Sequence, residues 1–202
     1  MENTIEIHDL GFVKLLDVMG DDQEVENAAR ISYGEGTRKV SQTRNLIRYL
    51  MRHKHTSPFE MCEVKFHLKL PIFVMRQLVR HRTANLNEYS GRYSVMSNEY
   101  YLPQADYLQK QSTTNNQGRN EVLPNKGSLH FEFNRVYDTA QITYENLLEE
   151  DLARELSRIV LPVANYTECI WKIDLHNFFH FIRLRSDSHA QREIRDYSDA
   201  MY

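Results

Sequence analysis

Cysteine is nearly absent from this sequence: Cys62 and Cys169 are the only two in 202 residues. Two thiols cannot build a disulfide framework or a zinc cluster, and such low usage fits a reducing compartment. The opening MENTIEIHDL has neither the basic start nor the apolar run of a secretion signal, and no apolar stretch approaches the length of a membrane span. A cytoplasmic protein is expected. Excess charge of one sign is also missing. A net charge of −3 excludes binding of polyanions by bulk electrostatics, so any anion site must be local. Gly34-Glu35-Gly36 lacks the third glycine of a dinucleotide-binding turn, and there is no P-loop. Internal repeats and dividing linkers are missing too. What remains is an ordinary globular composition, 41% hydrophobic and 26% charged, in a chain long enough for one good core. A single domain over 1–202 is expected.

The clearest local signal is a strand. Cys62, Val64, Phe66, Leu68 and Leu70 alternate with Glu63, Lys65, His67 and Lys69, which buries one sheet face and wets the other. Pro71 stops it and suits the first position of a helix, in which Val74, Met75, Leu78 and Val79 face the core. Arg76, Gln77, Arg80 and His81 take the remaining surface. Upstream, IEIHDLGFVKLLDV reads as a strand or hairpin, Asp22 as the N-cap of a short helix, and TRNLIRYLMRH as a second helix. Downstream, 104–127 reads as a long polar loop. A long amphipathic helix follows, with Phe133, Val136, Tyr137, Ala140, Tyr144, Leu147 and Leu148 on one stripe. DLARELSRIVLP then gives a short helix, CIWKIDL a strand, and HNFFHFIRLR a helix with Leu175, Phe178, Phe179 and Ile182 inward. Ser188 with Gln191 suits a capping box for a last helix. Strands and helices mix without regular βαβ alternation, so the fold class is α+β, a mixed or antiparallel sheet packed by long helices.

Chemistry concentrates in arginine. The stretch Arg76–Arg92 carries Arg76, Arg80, Arg82 and Arg92 against one acid, Glu88, and Arg183–Arg195 is a second basic cluster. The planar guanidinium fork gives paired, charge-assisted hydrogen bonds to phosphate, and the Ser90-Gly91 turn adds a hydroxyl and close backbone N–H groups. An anionic, nucleotide-like ligand fits this pattern better than a solvated basic face does. Other constellations are weaker. His176 and His180 have zinc-ligand spacing, but Asn177 stands where a metalloprotease needs glutamate and no third ligand is evident, so no metal is expected. Cys62 points inward as a small core residue. Ser90 lacks the histidine and acid of a triad.

The segment Arg80–Tyr93, RHRTANLNEYSGRY, resembles the signature of the flavin-dependent thymidylate synthases, R-H-R-x-x-S-x-N-x-x-S-x-R-Y. Arg80, His81, Arg82, Asn87, Ser90, Arg92 and Tyr93 are in register, and Asn85 replaces the serine. The similarity extends to GFVKLLDVMG, HTSPFE, PIFVMRQ, SRIVLP and LRSDSHAQREIR, so it covers nearly all of the chain outside 104–127; the end at Tyr202 looks shorter than is usual in the family.

The resemblance implies reductive methylation of dUMP to dTMP, with 5,10-methylenetetrahydrofolate as carbon donor and FAD, reduced by NADPH, as hydride source. It implies a homotetramer with active sites shared between subunits. By similarity, Ser57, Arg80, His81, Arg82, Glu88, Asp174, His176 and His180 are FAD contacts. Gln77, Arg80, Glu88, Ser90, Gly91, Arg92, Arg158 and Arg185 are dUMP contacts, with Arg185 at the uracil edge as the catalytic residue. The rival from another class is a single-stranded nucleic-acid-binding module stacking bases on Tyr89 and Tyr93. If the enzyme holds, no nucleic acid and no membrane is a partner.

Overall fold

The structure, a computed structural model, describes residues 4–32, 43–114 and 118–202. Its centre is a sheet built from β1 (Thr4–Ile7), β2 (Gly11–Met19), β3 (Glu63–Pro71), β4 (Asn85–Glu88) and β7 (Tyr166–Asp174), in the order β1-β2-β3-β7-β4. Every neighbouring pair is antiparallel. The β3–β7 ladder runs without a break from Glu63 opposite Asp174 to Pro71 opposite Tyr166. Alternation on these two strands decides the core: Phe66, Leu68 and Leu70 of β3 and Cys169, Trp171 and Ile173 of β7 point to one side. That side is covered by α3 (Ile72–Leu78), α6 (Leu175–Arg185) and α7 (Arg192–Met201), through Val74, Met75, Leu78, Phe178, Phe181, Ile194 and Tyr197. The α+β expectation holds, with the sheet purely antiparallel.

A second apolar cluster joins α1 (Asp22–Ile31) and α2 (Thr43–Arg52) to the segment before β3, using Val25, Ala29, Leu50, Phe59 and Cys62. Cys62 is therefore buried, as expected, although outside the main core. The long helix is α4 (Lys126–Glu149), followed by α5 (Arg154–Ser157) and a 3-10 turn at Arg158–Val160.

Several local expectations need correction. Asp21, not Asp22, caps α1, its carboxylate accepting from the backbone N–H groups of Gln23 and Glu24. Pro71 is the N-cap of α3 rather than its first helical residue, and Val79 is exposed where α3 ends. In α6 Phe178 is buried as expected and Phe181 with it, while Phe179 lies half out on a cleft wall. The α7 cap is Gln191, so Ser188 forms no capping box. The 104–127 segment holds a hairpin, β5 (Gln109–Gln111) with β6 (Arg119–Val122), and α4 already begins at Lys126. Gly34-Glu35-Gly36 lies outside the described residues.

Candidate active site

Two antiparallel strands fix where the arginines fall. After α3 the chain turns through Arg80, His81 and Arg82 and enters β4, whose Asn85 pairs with Lys172 of β7; Glu88, at the other end, pairs with Cys169. The Arg80–Arg82 turn and the Ser90–Arg92 turn are thus held apart by about 10 Å of extended strand. The structure brings the predicted residues together in two groups.

In the first group α6 returns over the sheet and places Arg185 against the α3 turn. Arg185 Nε donates to His81 Nε2 at 3.0 Å and Nη2 donates to the Gln77 carbonyl at 3.2 Å. Guanidinium only donates, so His81 Nε2 must be the unprotonated nitrogen and the imidazole neutral. Burial agrees: it is the main cause, with the charges of Arg185 and His180, that pulls the His81 pKa down to about 4. Arg185, His81 and His180 border a cleft of about 340 Å³ with Arg80, Arg82 and Asn177. Burial also lowers the Arg185 pKa without threatening its charge.

Beside it lies a cleft of about 380 Å³ between α2 and α6, lined by Met51, His55, Thr56, Phe59, Phe179 and Arg183 among others. His176 and His180 reach this wall. Ser57 is exposed, and its carbonyl accepts from the Glu60 N–H at 3.2 Å; its neighbour Thr56 takes the wall position instead. Asp174 is committed to capping α6, accepting from the Asn177 backbone at 2.9 Å and the Asn177 amide at 2.7 Å. The sequence offered His55 only as a surface residue. It lies just past the end of α2, its ring tilted against that of Tyr49 with centroids 5.9 Å apart, a contact that no single-residue pattern reveals. Apolar walls from Phe59 and Phe179 beside cationic Lys54, Arg183 and the Arg80–Arg82 turn suit a flat ring carrying phosphates. No group of three or more histidine, cysteine or acidic side chains among the described residues could hold a metal ion.

The second group surrounds Gly91. A Cβ there would meet Met96 Sδ at 2.8 Å and Arg158 Cδ at 3.2 Å, so the backbone sits close against these two side chains, which a larger residue would have to push aside. Arg92 N donates to Ser90 Oγ at 3.4 Å, and the Arg92 side chain pairs with Glu155 across 3.3 Å in the open. Arg154 donates to the Tyr93 carbonyl at 2.8 Å. Exposed cations therefore converge on this turn, whose Tyr93 and Ser94 N–H groups close it by donating to the Ser90 carbonyl at 3.1 Å. Glu88 accepts from the buried Thr167 hydroxyl at 2.9 Å, which orients its carboxylate beside this turn. Both cysteines are held as thiols, since burial, with nearby carboxylates, pushes Cys169 up to about 12 and raises Cys62 as well.

The family model "thymidylate synthase complementing protein" matches residues 14–202. The chain belongs to that family. Among its relatives, the flavin-dependent thymidylate synthase of Ehrlichia ruminantium (strain Gardel) is 57% identical over 195 residues, covering 96% of this chain and 66% of the relative. That of Treponema denticola is 49% identical, covering 100% of this chain and 77% of the relative. The crystal structure of the UMP/dUMP methylase PolB from Streptomyces cacaoi, bound with 5-Br dUMP, superposes with a TM-score of 0.86 at 33% identity, over 98% of this chain and 90% of that one. The chain spans about two thirds of the length of the first of these relatives. Across the family match, the Arg80–Tyr93 turn and strand lie within the shared region.

Proposed function

We propose that the chain is a flavin-dependent thymidylate synthase, methylating dUMP to dTMP with 5,10-methylenetetrahydrofolate as carbon donor and FAD reduced by NADPH. The observation that carries this is the Arg185–His81–Gln77 contact at the neutral-histidine turn, in a chain 57% identical to a protein of that name. A bound flavin supplies the hydride. The remaining chemistry falls to the protein. Arg80, His81, Arg82, His176, His180 and the wall around Thr56 hold the flavin, with Ser57 and Asp174 supporting that wall through their backbone and helix-capping bonds. Ser90, Gly91, Arg92 and Arg158 hold the nucleotide phosphate, with Glu88 beside them between flavin and nucleotide. Gln77 and Arg185 face the uracil edge. Arg185 Nη1 has no protein partner among the described residues and is the arm left for the base.

Activating uracil at its fifth carbon places negative charge on the ring, and a guanidinium already fixed by two bonds stabilises that charge without moving a proton. A neutral His81 matters because a second cation there would repel Arg185. On this reading the Ser90–Arg92 turn of one subunit meets Arg185 of a neighbouring subunit at a single nucleotide. This favours a homotetramer with shared sites. Phe131 and Ile142 on one side of α4, and Ile159 in the turn after α5, are largely exposed and supply apolar surface for such contacts. No helix among the described residues is long and apolar enough to cross a membrane, and a cytoplasmic setting fits the two buried thiols. The relatives' names give no support to the single-stranded nucleic-acid module. The test is optical: the purified protein is expected to carry or take up FAD, with a flavin absorbance band and quenched FAD fluorescence. A colourless protein that leaves added FAD fluorescence unchanged would overturn the proposal.

A further inference from the structure

Gln77 is the one uncharged polar side chain proposed for the uracil edge, and its amide is not free. Gln77 Nε2 donates to Gln191 Oε1 at 2.6 Å, and Gln191 Nε2 donates to Glu193 Oε2 at 2.9 Å. The other oxygen of Glu193 accepts from Arg119 Nη2 at 2.7 Å and from the Tyr101 hydroxyl at 3.0 Å. The Glu193 side chain is 2% exposed, whereas Gln191 stands at the surface as the cap of α7. Burial pushes the Glu193 carboxyl up, but the hydrogen bond and charge of Arg119, with the Gln191 amide, more than offset this, and the group stays ionised.

An ionised carboxylate only accepts. The Gln191 amide nitrogen must therefore face Glu193, which leaves its oxygen for Gln77; the Gln77 nitrogen must then face Gln191, and the Gln77 oxygen is turned the other way. The direction of every amide in the chain follows from the charge at its buried end. Uracil offers a donor at N3 beside an acceptor at O4, and cytosine offers an acceptor at N3 beside a donor at N4. A glutamine free to rotate serves both by flipping. One that is locked serves one.

Resting on the thymidylate synthase reading of the site, we infer that Arg119, Glu193 and Gln191 form a polarity relay that locks the Gln77 amide and makes the pocket select a uracil over a cytosine nucleotide. Gln191 and Glu193 are positioning residues, and Arg119 anchors them from the β5–β6 hairpin. The relay explains why an exposed polar hairpin ends in a buried ion pair.

The test is binding of dUMP, dCMP and 2-deoxyribose 5-phosphate to the flavin-loaded protein by calorimetry, in wild type, Gln191→Leu and Gln191→Lys. Wild type is expected to prefer dUMP over dCMP by about 10²-fold, as a site with one fixed hydrogen-bond pattern does. Gln191→Leu frees Gln77 and narrows that ratio about tenfold. Gln191→Lys keeps a partner for Glu193 but is a donor only; it pulls the Gln77 oxygen outward and moves the ratio further toward dCMP. Affinity for the base-free sugar phosphate stays level in all three, which separates the relay from a damaged fold. An unchanged dUMP-to-dCMP ratio in both variants overturns the relay while leaving the enzyme intact. Wild-type protein that takes up flavin but binds neither nucleotide overturns the thymidylate reading, and the relay with it.

Discussion

Arg185 commits Nε and Nη2 to the protein and holds Nη1 back. That division is what makes it a candidate for charge stabilisation rather than simple binding. Arg185→Ala is expected to lose about 10²–10³-fold in methylation rate, the size of a lost oxyanion donor, and Arg185→Lys to recover little because lysine lacks the fork that reaches two partners at once. Stopped-flow reduction of the flavin by NADPH without dUMP should be nearly unaffected; equal loss in both half-reactions would point to a flavin-binding defect. His81 gives a pH prediction. Its folded pKa is about 4 and its ordinary value 6.5, so between those values the unfolded chain binds a proton that the folded one refuses. Its contribution to stability is complete above the ordinary value and is lost as pH falls toward the folded one. Urea midpoints measured from pH 7 down to pH 4.5 should fall further for wild type than for His81→Gln, and parallel falls would contradict this. The residues of this turn were legible because their types and spacing carry the chemistry. Thr56, His55 and Gln191 were not, since each gains its role only from what the fold sets beside it.

Elements follow the same division. The alternation of β3 is visible in sequence because one face is buried and the other wet; the structure returns Phe66, Leu68 and Leu70 to the core, with Val64 packed against it and Cys62 in the second cluster. The β5–β6 hairpin was invisible. Both of its faces are polar, and its ion pairs, Lys110 with Glu121 at 2.9 Å and Arg119 with Glu193 at 2.7 Å, leave no periodic trace. The start of α7 was displaced from Ser188 to Gln191 because Glu193 is held in the first turn by Arg119 and Tyr101, a tertiary demand that outweighs a local capping pattern. One glycine shows how tightly β2 and α7 meet. A Cβ on Gly11 would collide with the Tyr197 hydroxyl and come within 2.9 Å of the Ile7 and Lys69 carbonyls, while Tyr197 donates to that same Lys69 carbonyl at 2.7 Å. Gly11→Ala should cost about 1–3 kcal/mol, as overpacking does, and lower the melting temperature by several degrees. A scanning-calorimetry curve that superposes on wild type would show that the strand yields without cost.

For the whole molecule the separation of the two arginine groups is the fact that matters. On the proposed reading the Ser90–Arg92 turn holds the phosphate of a nucleotide whose uracil meets Arg185 of a neighbouring subunit, which would couple assembly to catalysis. Arg92→Ala and Arg185→Ala, each nearly inactive alone, should regain activity when co-expressed, because some mixed sites then hold both native arginines. Mixtures no more active than either parent would place both residues in one subunit's site. The most direct measurement is of the reaction itself. Flavin-loaded protein is incubated anaerobically with NADPH, 5,10-methylenetetrahydrofolate and dUMP, and the nucleotides are separated and weighed by mass spectrometry. dTMP is expected to form in step with NADPH consumed, and only when all three are present. Folded, flavin-loaded protein that oxidises NADPH yet returns dUMP unchanged would contradict it.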